Sequence, residues 1–506
     1  MFRCTTTPSE PVFSTNLAAF GFHKNEKKEF VSDATGEHFD FFHTDSDRVN
    51  DLRRGAYQEC LRKEIAAELK EKHGIAELFV AGANGAEISS SRPDGPNLSL
   101  LTTQVSELVH KRDIIIVIGE SDQDCGVWAW RIVQRGGGMN GGSLTGLAGK
   151  VMEQVEASTG GGVACLTPDK DMQSNEQKAK APGIIVLNPG QLLYSHDLGR
   201  CLTVASWQSR PRPTAISGPF KIEPKHNFIP GHENPHKHVK TVFQRILPQI
   251  ISEKARLHVI AIGDGTTATI DAIDHSTLAQ DRFLVGGGIL ESMALIEAKH
   301  EHEKVSQSLK TFLASTSRGW VQGEAVKGTV VQMPIPTSFG APALECAPSA
   351  EARTDAHEET AADGDSTAKS PTVNGTSSAN GDHGELLQPF ATLSVYEETL
   401  SVPLAPPNTP ADSGTTTPAT VDSTCPSPAK LNKDDAIVED EDEDYPAPQP
   451  LPVSCPTYSA GVSDGVTETV FPAVIDDVLE HLWFYIQKGQ EKDAADAAHL
   501  DSRGEA

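Results

Sequence analysis

The sequence predicts an α/β fold, a mainly parallel sheet with helices on both faces. Three observations carry that reading. DIIIVIGES (113–121), GIIVLNPG (183–190) and ARLHVIAIGDG (255–265) are continuous apolar runs, each ending in a glycine or Asn-Pro turn. Strands buried on both faces read this way, whereas a half-buried strand alternates. Amphipathic stretches follow the runs, as crossovers between parallel strands require. Finally, VIAIGDGTTATI (259–270) passes from strand to helical spacing through a single Gly-Asp-Gly corner.

In chain order, residues 13–80 form a first ordered segment after a disordered tail at 1–12. FGFHKNEKKEFVSDATGEHFDFF alternates aromatic and polar residues around Asn25 and Gly36, which predicts two short strands. Leu52, Tyr57, Leu61, Ile65 and Leu69 then share one helical face, and Gly74 stops the helix behind Lys72 and His73. A core over 81–345 comes next, opening with a Gly/Ser/Pro loop at 81–100. GVWAWRIV reads as the helix after the first core strand, with Trp128, Ile132 and Val133 on one face. Val239, Val242, Phe243, Ile246 and Leu247 mark the helix after the second strand, and TTATIDAID the helix after the third. RFLVGGGIL reads as a fourth strand, and ESMALIEAKHEHEKVSQSLKTFL as its helix.

The grammar changes near 345. Residues 346–450 are rich in Pro, Ser, Thr and acids, including EDEDED at 439–444. That composition cannot bury enough apolar surface to offset chain entropy, so a long disordered insertion is expected. Within it, LLQPFATLSVYEETL (386–400) could dock as a strand. Order returns over 451–486, the last strand and helix of the core, with Val474, Val478, Leu479, Leu482 and Tyr485 on one face. A polar tail at 487–506 ends the chain.

Composition narrows the function classes. The formal net charge of −27 over 506 residues repels nucleic-acid phosphate, so a sequence-independent grip on RNA or DNA is disfavoured. The 8 cysteines include no CxxC pair, which argues against a zinc ribbon or a dithiol redox site. MFRCTTTPSEPVF lacks the apolar stretch of a signal peptide, and no apolar run is long enough to span a bilayer. A nuclear location, with a cytoplasmic pool also compatible, is expected.

The corner at 263–265 is the candidate site. A hydrolase elbow places its nucleophile between small residues two positions away on each side. Ala261 and Gly265 supply those flanks, and the central residue is Gly263, which has no side chain. Asp264 could serve as a nucleophile only in a frame that puts Ile262 where a small residue is needed. Otherwise it is a loop acid serving backbone amides at the helix start. Gly263, Gly265 and Thr266 could also cradle a phosphate, but no lysine follows as a P-loop requires. The literal GxSxG at Gly461–Gly465 follows no buried strand and leaves only His481 and His499 downstream, so it reads as a loop. His226, His232, His236 and His238 lie close together without a helical ligand spacing, and read as structural or solvated. The triple glycines at 136–138, 160–162 and 286–288 read as flexible loops. No catalytic residue, cofactor or metal site is assigned.

Six segments in order carry a family resemblance: LAAFGFHKNEKKEFVSDATGEHFDF, VIGESDQDCGVWAWRIV, GIIVLNPGQ, NPHKHVKTVF, HVIAIGDG and CPTYSAGVSDGVTETVFPAVIDDVL. Together they resemble the argonaute-binding (Arb) domain family across about 13–340 and 453–486. The resemblance implies an α/β-hydrolase-like fold and work in RNA-guided silencing and heterochromatin formation. It implies Argonaute and other silencing or chromatin proteins as partners, with small RNA reached through Argonaute. Hydrolase-like members carry Ser where Gly263 stands, His-Gly where Ile118-Gly119 stands, and a late His in the segment matching SAGVSDGVTETV. Trp128, Asn188, Pro189 and His238 match the family and read as structural. The expectation is a noncatalytic scaffold; an esterase or peptidase with a nonstandard nucleophile and a direct RNA-binding module are the alternatives.

Overall fold

The structure is a computed structural model and describes residues 9–158, 181–275, 277–284, 289–298, 300, 304–332, 455–462 and 465–503. The expected insertion at 346–450, with its island at 386–400, lies outside these residues, as do the triple glycines at 160–162 and 286–288.

After a one-turn helix at Leu17–Phe20 comes the expected hairpin of β1 (Phe22–Lys24) and β2 (Phe30–Ser32), and the helix Asp47–His73 follows. Its N-cap Ser46 accepts the Val49 amide, and Gly74 closes it in the left-handed region at φ 64°. Twelve strands follow: β3 (Ile75–Ala81), β4 (Glu87–Ser89), β5 (Leu98–Thr103), β6 (Asp113–Ile118), β7 (Gly183–Leu187), β8 (Leu193–Ser195), β9 (Arg200–Leu202), β10 (Arg256–Ile262), β11 (Leu290–Ile296), β12 (Ser317–Val321), β13 (Val330–Val331) and β14 (Thr457–Ser459).

Ten of them form one sheet, ordered β13-β14-β12-β11-β10-β6-β7-β5-β3-β4. The six from β14 to β7 are mutually parallel, while β5, β3, β4 and β13 pair antiparallel with their neighbours. With the outer strands β4 and β13 set aside, the eight remaining strands run 1-2-4-3-5-6-7-8 in chain order, the second antiparallel. That is the α/β-hydrolase sheet. The three apolar runs are β7, β6 and β10, side by side in register (Ile116 with Ile185, Val259 with Ile116).

Both faces are covered. Ile115, Val117, Ile260 and Ile262 join a core with the helices Asp47–His73, Leu144–Ser158 and Val470–Arg503. Ile114, Ile116, Val259 and Ala261 face the other way, against the helices around Val239–Ile250, Asp264–Asp274 and Gln307–Thr316. Each fully buried aliphatic side chain contributes on the order of 1.5–3 kcal/mol, so these central strands dominate the core.

The structure corrects several local expectations. The loop expected at 81–100 contains β4 and the start of β5, and β3 spans the expected boundary at 80/81. GVWAWRIV forms only one helical turn, Trp130–Val133, and Val127 instead bridges Ser143; the crossover helix is Leu144–Ser158. Gly136–Gly138 is no loose loop: a Cβ on Gly138 would lie 2.5 Å from the Lys28 carbonyl oxygen. The fourth parallel strand is LESMALI rather than RFLVGGGIL, and Phe283 ends a helix instead. SRGWV, unassigned by pattern, is β12. The segment expected as a polar tail continues the last helix to Arg503.

Candidate functional site

β10 ends at Ile262, Gly263 adopts φ 57° and ψ −126°, and the next helix starts at Asp264. Side chains other than hydrogen are strained at that backbone geometry, which is the sharp strand-to-helix turn that exposes a hydrolase nucleophile. The Gly263 amide donates to the Ile296 carbonyl at 2.8 Å, and Thr266 Oγ1 donates to the Gly263 carbonyl at 2.6 Å. The small flanks have physical reasons. Ala261 is fully buried, and a Cβ on Gly265 would meet the Gly119 oxygen at 2.5 Å.

The place of the missing nucleophile is filled. A Cβ built on Gly263 would lie 2.1 Å from Glu120 Oε1 and 2.6 Å from Glu120 Cγ. Glu120 comes from the loop after β6, and its Oε1 accepts Thr467 Oγ1–H at 3.5 Å from the segment after β14. In hydrolases of this fold the acid and then the histidine follow the nucleophile along the chain. Along this chain Gly263 is followed by Glu297, just after β11, and by Thr467, which contacts Glu120. Glu297 is a buried acid immediately after β11 at φ 53°, a left-handed conformation uncommon for a non-glycine residue, and its Oε1 accepts the Gln322 amide. Sequence reasoning missed both Glu120 and Glu297. Only the left-handed backbone of Glu297 marks it, and a sequence does not display that.

The surrounding charge is negative. Asp264 Oδ1 accepts the Ser121 amide at 3.0 Å, so it braces the neighbouring loop rather than capping its own helix. Desolvation, then the Asp264 charge, raise the Asp122 carboxyl. Burial raises Glu468 despite Arg131 Nε at 2.9 Å. An incoming phosphate would meet these acids and a Gly265 packed against Gly119, so the phosphate-cradle alternative fails. A cavity of about 10 Å³, lined by Gly119, Glu120, Gln123, Trp128 and Asn188, has room for one water and no substrate. The loop beside it is anchored by buried charge. Asp124 accepts Arg62 Nη1 at 2.7 Å, Gln191 Nε2 at 2.6 Å and Trp130 Nε1 at 3.0 Å, which ties ESDQDCGVW to the helix Asp47–His73.

The clustered histidines separate. His238 Nε2 accepts the Asn188 amide at 3.1 Å, its Nδ1–H faces His232 Nδ1 at 2.8 Å, and His232 Nε2–H donates to the Gly85 carbonyl at 2.8 Å. This chain needs one proton on each ring, so both are neutral, and burial lowers both pKa values. His236 pairs with Asp271 at 2.6 Å on the surface, and His226 lies 3.9 Å from Glu223. Among the described residues no group of three or more His, Cys, Asp or Glu side chains could hold a metal ion. Against the expectation, the GxSxG stretch does follow a buried strand, since β14 ends at Ser459 just before Gly461; its Ser463 and Asp464 lie outside the described residues. His481 packs against Trp320, and its pKa falls to about 4, through burial first and the Arg318 charge second.

A Ser-His-Asp line does exist, at the opposite end of the sheet. Ser292 Oγ is 2.8 Å from His258 Nδ1, and His258 Nε2 is 3.2 Å from Asp113 Oδ1. Arg256 makes two bonds of 2.7 and 2.8 Å to the same carboxylate and reaches Asp493 at 2.8 Å. Ser292 and His258 are fully buried, so no substrate reaches them. These groups join the amino ends of β6, β10 and β11 to the last helix.

A hydrolase-type sheet, with a sharp strand-to-helix turn at Gly263 and the Glu120 carboxylate against it, defines a protein of hydrolase-like fold. More particularly, residues 13–325, over half of the chain, match the Arb2 domain, and the chain belongs to that family. Membership fits an Argonaute-associated role in silencing. β14, which the sequence resemblance included, lies beyond the matched stretch but within the same sheet. None of the curated proteins matches the chain.

Proposed function

We propose that this chain is a noncatalytic, α/β-hydrolase-like scaffold that binds Argonaute or its associated proteins in siRNA-directed silencing and heterochromatin formation, in the nucleus. One observation carries the noncatalytic reading: the space of a nucleophile at Gly263 is occupied by the Glu120 carboxylate. Without a nucleophile and an adjacent base, acyl transfer has no covalent route. Asp264 supports the same reading, because its carboxylate already accepts the Ser121 amide. Family membership supports Argonaute as the partner, and the formal charge of −27 favours reaching small RNA through that protein.

The experiment has two arms. A fluorophosphonate probe and a panel of simple esters should give no labelling and no turnover above an Asp264→Asn control. Purified protein should bind Argonaute loaded with duplex siRNA and leave the naked duplex unbound. Covalent labelling at the elbow would restore the hydrolase alternative, and submicromolar binding to naked duplex without Argonaute association would favour the RNA-binding one.

A further inference from the structure

Between β7 and the helix Pro235–Thr241 the sheet order is interrupted by an added module. It comprises the β8–β9 hairpin and the helices Val204–Gln208 and Pro224–Asn227. Leu193, Leu202 and Trp207 give it a small core of its own, with Phe220 and Phe228 packed against them. On its surface lies a cleft of about 390 Å³, whose lining includes Asp197, Trp207, Arg210, Phe220, Lys221 and Glu223. None of these residues belongs to the elbow.

Arg210 is built into that cleft in an unusual way. Its guanidinium carbon lies 3.8 Å from the Trp207 ring centroid and 3.9 Å from that of Phe220, held between two aromatic rings. Nε donates to the Trp207 carbonyl at 3.3 Å and Nη1 to Ser195 Oγ at 3.1 Å. Nη2 has no hydrogen-bond partner among the described residues, although the side chain is only 9% exposed. The carboxylate paired with it, Asp197, stands 3.6 Å from Nη1 and is 79% exposed, a loose pair of small energetic weight. A guanidinium fixed in plane by stacking, with one edge unused, is preorganised for an oxyanion. Burial lowers the Arg210 pKa, in keeping with a charge that lacks full compensation.

Leu198, Val204, Ile216 and Ile222 are all exposed, and they neighbour the lining residues along the chain. Single exposed aliphatics mean little, but four within one short module suit a peptide rather than a polynucleotide. Asp197 and Glu223 in the cleft, and the acidic chain as a whole, oppose a polyphosphate backbone.

We propose that this cleft captures an oxyanion side chain, carboxylate or phosphoryl, presented on an apolar segment of a protein partner, with Arg210 as its anchor and Asp197 as the resident group it displaces. The proposal gives the scaffold a contact chemistry and does not require that Argonaute be the partner.

The test titrates the full-length protein, with Trp207 fluorescence as the readout, against short leucine- and valine-rich peptides. These carry a central glutamate, phosphoserine, glutamine or serine. The glutamate or the phosphoserine peptide should bind about tenfold more tightly than its neutral counterpart, and the stronger of the two identifies the natural group. Arg210→Lys should lose that preference. Asp197→Ala, at an exposed position that leaves folding intact, should strengthen binding several-fold. Equal binding of charged and neutral peptides would overturn the proposal. So would inorganic phosphate or single-stranded RNA binding as tightly as the best peptide, or an unchanged affinity in Asp197→Ala. Argonaute capture is measured separately, so failure here leaves the scaffold reading standing, and the reverse holds too.

Discussion

The two ends of the central strands hold opposite halves of a hydrolase. At the carboxyl ends, Gly263 keeps the φ 57°, ψ −126° backbone of an elbow but supplies no nucleophile. At the amino ends, Ser292, His258 and Asp113 line up within hydrogen-bond distance but are sealed from solvent. On the noncatalytic reading proposed above, a shape without reactive side chains and reactive side chains without access fail the same geometric requirement. A reacting atom must have somewhere to sit beside the nucleophile. Access and backbone geometry therefore separate a site from a constellation, and residue identity alone does not.

The amino-end cluster should be structural, and it should show the largest effect. Asp113→Ala removes the carboxylate that both Arg256 and His258 use, leaving the part-buried Arg256 with Asp493 alone and the buried His258 Nε2 without its partner. Breaking a buried pair on one side costs on the order of 3–5 kcal/mol, and the bond that Arg256 keeps to Asp493 puts this loss toward the lower end. Urea unfolding should show a loss of that size, and a loss below 1 kcal/mol would mean the cluster is not what joins the strands to the last helix.

At the other end, Gly263→Ser should destabilise without creating activity. The new side chain meets both a disfavoured backbone region, costing about 1–3 kcal/mol, and the Glu120 carboxylate in its way. Adding Glu120→Ala should recover part of the loss, because the two changes share one volume; strictly additive losses would show that Glu120 does not occupy the nucleophile's place. The absence of a histidine from SAGVSDGVTETV (459–470) leaves even the double variant without an adjacent base.

Much of the carboxyl end was legible in the sequence, and little of the amino end was. IIIVI, GIIVL and HVIAI announce themselves by unbroken burial, and the Gly-Asp-Gly corner by its abrupt change of period. LESMALI was misread because Leu, Glu, Met and Ala favour helix, and only its position between β10 and β12 makes it a strand. SRGWV is too short and too polar to signal a strand alone. Glu120 looks like any loop acid until Gly263 is brought against it. The Ser292–His258–Asp113 line draws on three strands, with separations of 34 and 145 residues, so no local pattern contains it. His232 and His238, expected as structural or solvated, are buried, and their partners are a backbone amide, a backbone carbonyl and each other.

Those histidines sharpen the comparison through pH. Burial depresses the pKa of His232 and His238 in the folded state, so the unfolded chain binds more protons as pH falls below about 6.5. His481, lowered to about 4, acts in the same direction. Their stabilising contribution is present above the unfolded pKa and lost as pH falls through the folded values. Melting temperature should drop between pH 7 and pH 5 at constant ionic strength, roughly one proton's worth of slope per group. A flat profile would place a charged, compensated histidine where the hydrogen-bond chain requires a neutral one.

The smallest effect tests the comparison most directly. Ser292→Ala removes the hydroxyl that a catalytic reading of the amino-end line would call the nucleophile. Structurally it costs one hydrogen bond and leaves His258 Nδ1 without its partner inside the core. That penalty is about 1–3 kcal/mol, less than the loss expected at Asp113 because a single partner is lost and not one shared by an arginine and a histidine. The variant should fold, melt slightly lower, and behave like the parent protein toward Argonaute and toward fluorophosphonate. If the parent were labelled and Ser292→Ala were not, the buried line would have to open to solvent during function. The contrast between the two ends would then be one of exposure in time and not of design.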